Sequence, residues 1–111
     1  MHWNVVQKIV EMIRPIIYVP DYPLAPDSNW KDTYTFMDEL YCKVQERYAD
    51  KKIVFMGDSA GGGLALGFAQ KLRDNGKKLP NHIVLFSPWL DLSMGNHEIK
   101  EYEKKDVFLT I

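Results

Sequence analysis

The sequence predicts an α/β protein, a parallel sheet in three layers with helices on both faces. Two observations carry this. Three short, continuously apolar runs occupy residues 16–19, 53–56 and 83–86, and segments of helical period precede and separate them. Unbroken apolar runs mark strands buried on both faces, and helices between parallel strands are the crossovers such a sheet requires.

The elements follow in order. Residues 3–14 form an amphipathic helix, with Trp3, Val6, Val10 and Ile13 at helical spacing and Ile9 beside them. Pro15 discourages its continuation. Residues 16–19 are rich in β-branched side chains and read as the first strand. Residues 21–29 hold three prolines and several turn formers, so they form a loop. A second helix is expected over 30–48, striped by Trp30, Tyr34, Met37, Tyr41, Val44 and Tyr48, with Ser28 or Asn29 as its cap. Residues 53–56 are the second strand, followed by a glycine-rich segment over 57–63. The third helix then runs to about residue 74, with Leu64, Ala65, Phe68, Ala69 and Leu72 on one face. Asn75 and Gly76 end it, because both tolerate a left-handed backbone. Residues 83–86 are the third strand, and 96–105 are polar and expected to be helical.

Composition sets outer bounds. With 111 residues, the chain is at most one domain. Hydrophobic residues make up 46% and charged residues 26%, which is globular rather than disordered composition. A net charge of −1 with scattered cations argues against nucleic acid or an anionic membrane as partner. The single cysteine, Cys42, allows no internal disulfide and is expected to be an inert thiol. No secretory signal and no apolar run near ~20 residues is present, so a cytoplasmic protein without a membrane span is expected.

Gly57-Asp58-Ser59-Ala60-Gly61 matches G-x-S-x-G between a predicted strand and a predicted helix. A tight turn there holds the serine in a strained conformation, and crowding across it calls for glycine two residues before and two after. The hydroxyl then points out above the strand ends. The first N–H groups of the helix lack intrahelical acceptors, so Ala60 N–H is the expected oxyanion donor. Such a serine needs a histidine base and an acid that orients the base. Two plainer readings exist. Ser59 could cap the helix, or the glycines could cradle a phosphate, although no lysine follows in the G-x-x-x-x-G-K manner.

Gly57-Asp58-Ser59-Ala60-Gly61-Gly62 resembles the nucleophile motif of the hormone-sensitive-lipase-like branch of the α/β-hydrolases. Two flanking segments agree in order and spacing: Asp21-Tyr22-Pro23-Leu24-Ala25-Pro26-Asp27 and Ser87-Pro88-Trp89-Leu90-Asp91-Leu92-Ser93. The resemblance implies a partial α/β-hydrolase fold over 1–111, whose strands correspond to the family's fourth to sixth. It implies a carboxylic-ester hydrolase (esterase or lipase) that works through an acyl-enzyme on short or medium acyl esters, with no metal and no cofactor. Pro23, Asp27 and Gly63 stand where the family usually has Arg, Glu and Asn. The family's HGGG-type oxyanion loop is not found, nor are its later acid and histidine, so the segment reads as a central fragment.

Local substitutes for the base are weak. His2 lies near the N-terminus, and His82 precedes the third strand, on the order of 15 Å from the catalytic edge. His97 is on the correct side but reads as a surface residue. Asp91 reads as a loop cap, and Trp89 as either a pocket-lining aromatic or a core plug. Two other functions remain in view, a catalytically inactive fragment and a small-molecule binding module on the same scaffold. Unpaired strand edges are expected to drive self-association.

Overall fold

A computed structural model describes residues 2–103 and 105–106. The helices and strands are α1 (His2–Ile13), α2 (Trp30–Arg47), β1 (Val54–Asp58), α3 (Ala60–Asp74), β2 (His82–Phe86) and α4 (Ile99–Glu103). They fall into two compact units, Met1–Ala49 and Asp50–Ile111. No helix among the described residues is long and apolar enough to cross a membrane.

The first unit holds α1, α2 and the loop between them. Asn29 is the cap of α2. Its side chain accepts from Lys31 N–H, and the Asp32 carboxylate accepts Asn29 N–H in return, a reciprocal capping box. The loop is tied to the helix by Thr33, whose hydroxyl donates to the Pro23 carbonyl at 2.9 Å. The Tyr18 ring meets the Tyr48 ring edge-on, with centroids 6.2 Å apart. Tyr41 is buried.

The second unit carries the sheet. β1 and β2 pair in parallel, with Val54 opposite His82 and Asp58 opposite Phe86. Asn81 fastens the entry to the pair, since its N–H donates to the Ile53 carbonyl and its side-chain oxygen accepts Ile53 N–H. α3 packs on this sheet through Phe68, Ala69 and Leu72, all buried. Phe55 stacks on Phe68 with centroids 5.8 Å apart. At its far end α3 is closed by Gly76, at φ +63, where Lys77 N–H bonds the Leu72 carbonyl.

Two features differ from the sequence expectation. Residues 16–19 form no strand, and among the described residues the sheet has two strands rather than three. An apolar, β-branched run has the propensity for a strand, but a strand exists only where a neighbour supplies the ladder. Next, within the second unit the strands are covered on one face. Phe55, Ile83 and Leu85 are half-buried, while Val54, Met56, Val84 and Phe86 remain 47, 47, 36 and 47% exposed. A continuous apolar run suits two-sided cover, yet among the described residues of the second unit α3 packs on one face of this sheet. α3 starts at Ala60, so Gly61, Gly62 and Gly63 of the glycine-rich segment belong to its first turn. Short α4 lies within the polar stretch expected to be helical, of which residue 104 is outside the described residues.

Candidate active site

The G-x-S-x-G segment lies at the junction of β1 and α3, with Asp58 ending the strand and Ala60 opening the helix. Ser59 between them has φ 53 and ψ −117. A non-glycine residue in such a region costs of order 1–3 kcal/mol and persists only where its surroundings over-determine it. The surroundings here are hydrogen bonds and close contacts. Ser59 N–H donates to the Phe86 carbonyl at 3.0 Å, extending the β1–β2 ladder. Its carbonyl accepts N–H groups from Gly62, Gly63 and Trp89 at 3.0, 3.1 and 2.9 Å.

The glycines have separate reasons. A Cβ at Gly57 would stand 2.2 Å from the Gly61 carbonyl oxygen and 2.6 Å from Gly62 N, so the turn closes only without a side chain there. Crowding across the turn is one-sided, however. A Cβ at Gly61 would meet nothing within 4 Å, contrary to the expectation that both flanking glycines are needed for space. It is the backbone of Gly61, not room for its side chain, that presses on Gly57. Gly62 and Gly63 face the segment after β2. A Cβ at Gly62 would come within 2.8 Å of the Pro88 Cβ, and one at Gly63 within 2.3 Å of the Trp89 carbonyl oxygen.

Ser59 itself is exposed, and its side chain makes no capping hydrogen bond to the helix. The capping reading therefore has no bond to support it. Ala60 is also exposed, at the first position of α3, where no earlier carbonyl of the helix can accept its N–H. An exposed hydroxyl beside open helix N–H groups can present a nucleophile next to a place where negative charge is stabilised.

The histidines are dispersed. His82 starts β2 opposite Val54, at the strand ends remote from Ser59. His97 is exposed beyond Asn96, and among the described residues no hydrogen bond joins either histidine to Ser59. The His2 side chain lies outside the described residues. Asp91 organises a local turn. It accepts the Ser93 hydroxyl and, at 2.9 Å, Ser93 N–H. The Ser93 hydroxyl first, and then backbone N–H groups of Ser93 and Gly95, hold its carboxyl below the usual carboxylate range. Trp89 is 45% exposed, and its indole N–H donates to the Asp91 carbonyl at 2.9 Å. Among the described residues no group of three or more His, Cys, Asp or Glu side chains is placed to hold a metal ion.

Sequence reasoning missed the role of the post-strand segment. Ser87 has φ 38, and Pro88 and Trp89 press on the first turn of α3. The available signal was the glycine run, which continues through Gly62 and Gly63, past what G-x-S-x-G demands.

A strand-to-helix turn with an exposed, backbone-strained serine defines a class, and comparison with known proteins agrees with it. The chain belongs to the alpha/beta hydrolase fold family, whose model matches residues 1–111, in its hormone-sensitive-lipase-like branch. Among its relatives is an esterase of Acinetobacter venetianus, 31% identical over 97 residues, which are 86% of this chain and 32% of that protein. The carboxylesterase/phospholipase LipF of Mycobacterium tuberculosis is 34% identical over 95 residues, 85% of this chain and 25% of its own length. A crystal structure from Staphylococcus aureus, of a protein assigned as an esterase, superposes with a TM-score of 0.90 at 34% identity, covering 98% of this chain and 37% of that one. The chain thus spans about a quarter to about a third of the length of these proteins.

Proposed function

We propose that Ser59 is the nucleophile of a carboxylic-ester hydrolase. The observation that carries this reading is the exposed serine at φ 53, uncapped, at the mouth of α3. Its Oγ attacks the ester carbonyl carbon while a histidine base takes the hydroxyl proton. The carbonyl oxygen becomes an oxyanion that accepts Ala60 N–H. Collapse breaks the bond to the alkoxy oxygen, which leaves as the alcohol with the proton from the base. Water then attacks the acyl-enzyme by the same route, releasing the acid and restoring the serine. His82 is at the wrong strand ends to be the base. Relatives named esterase, lipase and acetyl-hydrolase support ester substrates; short or medium acyl groups are part of the proposal. Self-association through the open edges of the β1–β2 pair belongs to the same reading, since among the described residues both strands have an unpaired side.

The test uses the complete gene product, a p-nitrophenyl ester series from acetate to octanoate, and a fluorophosphonate probe. Label is expected on Ser59 by peptide mass analysis, and Ser59→Ala should lower kcat by roughly 10³-fold or more. Turnover that survives Ser59→Ala, or folded protein that neither turns over nor labels, would overturn the assignment. Saturable ligand binding without turnover, insensitive to Ser59→Ala, would favour a binding module instead.

A further inference from the structure

We propose that segment 86–89 is a backbone clamp that fixes the conformation of Ser59, and that Trp89 is a positioning residue acting through its main-chain N–H. The inference rests on the nucleophile reading for its catalytic consequence, though not for its structural content.

Four observations converge. Both backbone polar groups of Ser59 are bonded to the two ends of one short reversal: its N–H to the Phe86 carbonyl at 3.0 Å, its carbonyl to Trp89 N–H at 2.9 Å. The reversal is stiff, because Ser87 sits at φ 38 and the next residue is proline. The reversal is seated on α3 at van der Waals limits. Gly62 leaves room for Pro88, and Gly63 for the Trp89 carbonyl, where any Cβ would intrude at 2.8 and 2.3 Å. Lastly, the indole N–H of Trp89 bonds the Asp91 carbonyl at 2.9 Å, so the residue is anchored on its far side as well.

The bonds from Gly62 and Gly63 to the Ser59 carbonyl belong to the start of α3 and would accompany any helix begun there. The Trp89 bond is different, for it comes from outside the helix and ties the strained residue to the end of β2. A strained residue relaxes unless its neighbours forbid it. Positioning matters because a displacement of about 1 Å at a reacting group can cost on the order of 10²-fold in rate. Placing Oγ is therefore assigned to the clamp, while the reaction itself stays with Ser59.

Replacing the Trp89 amide by an ester, through incorporation of indole-3-lactic acid at position 89 of the complete gene product, removes the N–H and keeps the indole. Two readouts follow. The ¹³Cα and ¹³Cβ resonances of Ser59, assigned with Ser59→Ala, are expected to move, and kcat for p-nitrophenyl acetate to fall about tenfold or more with KM within about twofold. Trp89→Phe keeps the main-chain N–H but loses the indole bond to Asp91, so it should move the Ser59 resonances and lower kcat less than the ester does. Unchanged Ser59 resonances and kcat in the ester variant would overturn the clamp, as would Trp89→Phe being equally damaging. Should the ester variant not fold, amide exchange in the unmodified protein decides. A protected Trp89 N–H supports the clamp and a freely exchanging one refutes it. Turnover that persists in Ser59→Ala would sink the nucleophile reading alone, because the resonances of Ser59 test the clamp without reference to activity.

Discussion

Asp91 and Ser93 show how a residue's immediate neighbours set its role. A carboxylate just after a strand of such a sheet could orient a catalytic base. Here its Oδ1 is occupied by the hydroxyl and N–H of Ser93, and the resulting turn is local and exposed. These bonds favour the ionised form and hold its pKa below the ordinary range, with the Ser93 hydroxyl the largest cause. The sign follows. A depressed folded-state pKa contributes stability that is present above the unfolded carboxylate's pKa and is lost as pH falls through the folded one. Ser93→Ala should therefore raise the titration midpoint of Asp91 toward that of a free carboxylate, read by ¹³C NMR of the carboxyl group. An unmoved midpoint would mean that the hydroxyl is not the cause. At this scale Ser59 was legible from its neighbours in sequence. The partners that hold it, Phe86 and Trp89, are almost 30 positions away and were not.

At the scale of elements, the joint between β1 and α3 gives a discriminating prediction. Four glycines stand in this joint, and the sequence motif asks the same of Gly57 and Gly61. The structure separates them by what a methyl group would strike. Gly57→Ala forces a Cβ onto the carbonyl and nitrogen of the next turn, backbone that cannot swing aside, and should destabilise by about 3 kcal/mol. Gly61→Ala meets open space inside a helix and should be neutral or gain up to about 1 kcal/mol from helix propensity. Urea unfolding of the two variants checks this, and equal losses would refute the geometric account. Helix limits were legible because periodicity, the Asn29 cap and the Gly76 terminus are local signals. Gly62 and Gly63 lie in the first turn of α3, although glycines normally weaken a helix. Here, contact with Pro88 and Trp89 leaves room for nothing larger.

For the whole molecule, the informative feature is the uncovered side of the β1–β2 pair. Val54, Met56, Val84 and Phe86 present apolar side chains on it, and among the described residues each strand keeps one unpaired edge. Unpaired edges and exposed apolar faces favour association. The 111-residue chain is expected to elute from size-exclusion chromatography at an apparent mass that rises with loading concentration. A monodisperse, cooperatively folding monomer across that range would contradict this.

The α/β class, the helix spans and the serine on its turn were determined by the sequence alone. Each depends on interactions within a few residues: an apolar period, a capping side chain, a glycine beside a tight turn. Tertiary structure decided the rest. It set how many apolar runs became strands, which strand face was covered, and which distant amides grip Ser59. A ladder, a packed face and a long-range hydrogen bond each need a partner brought in by the fold, and propensity in one segment does not specify the other.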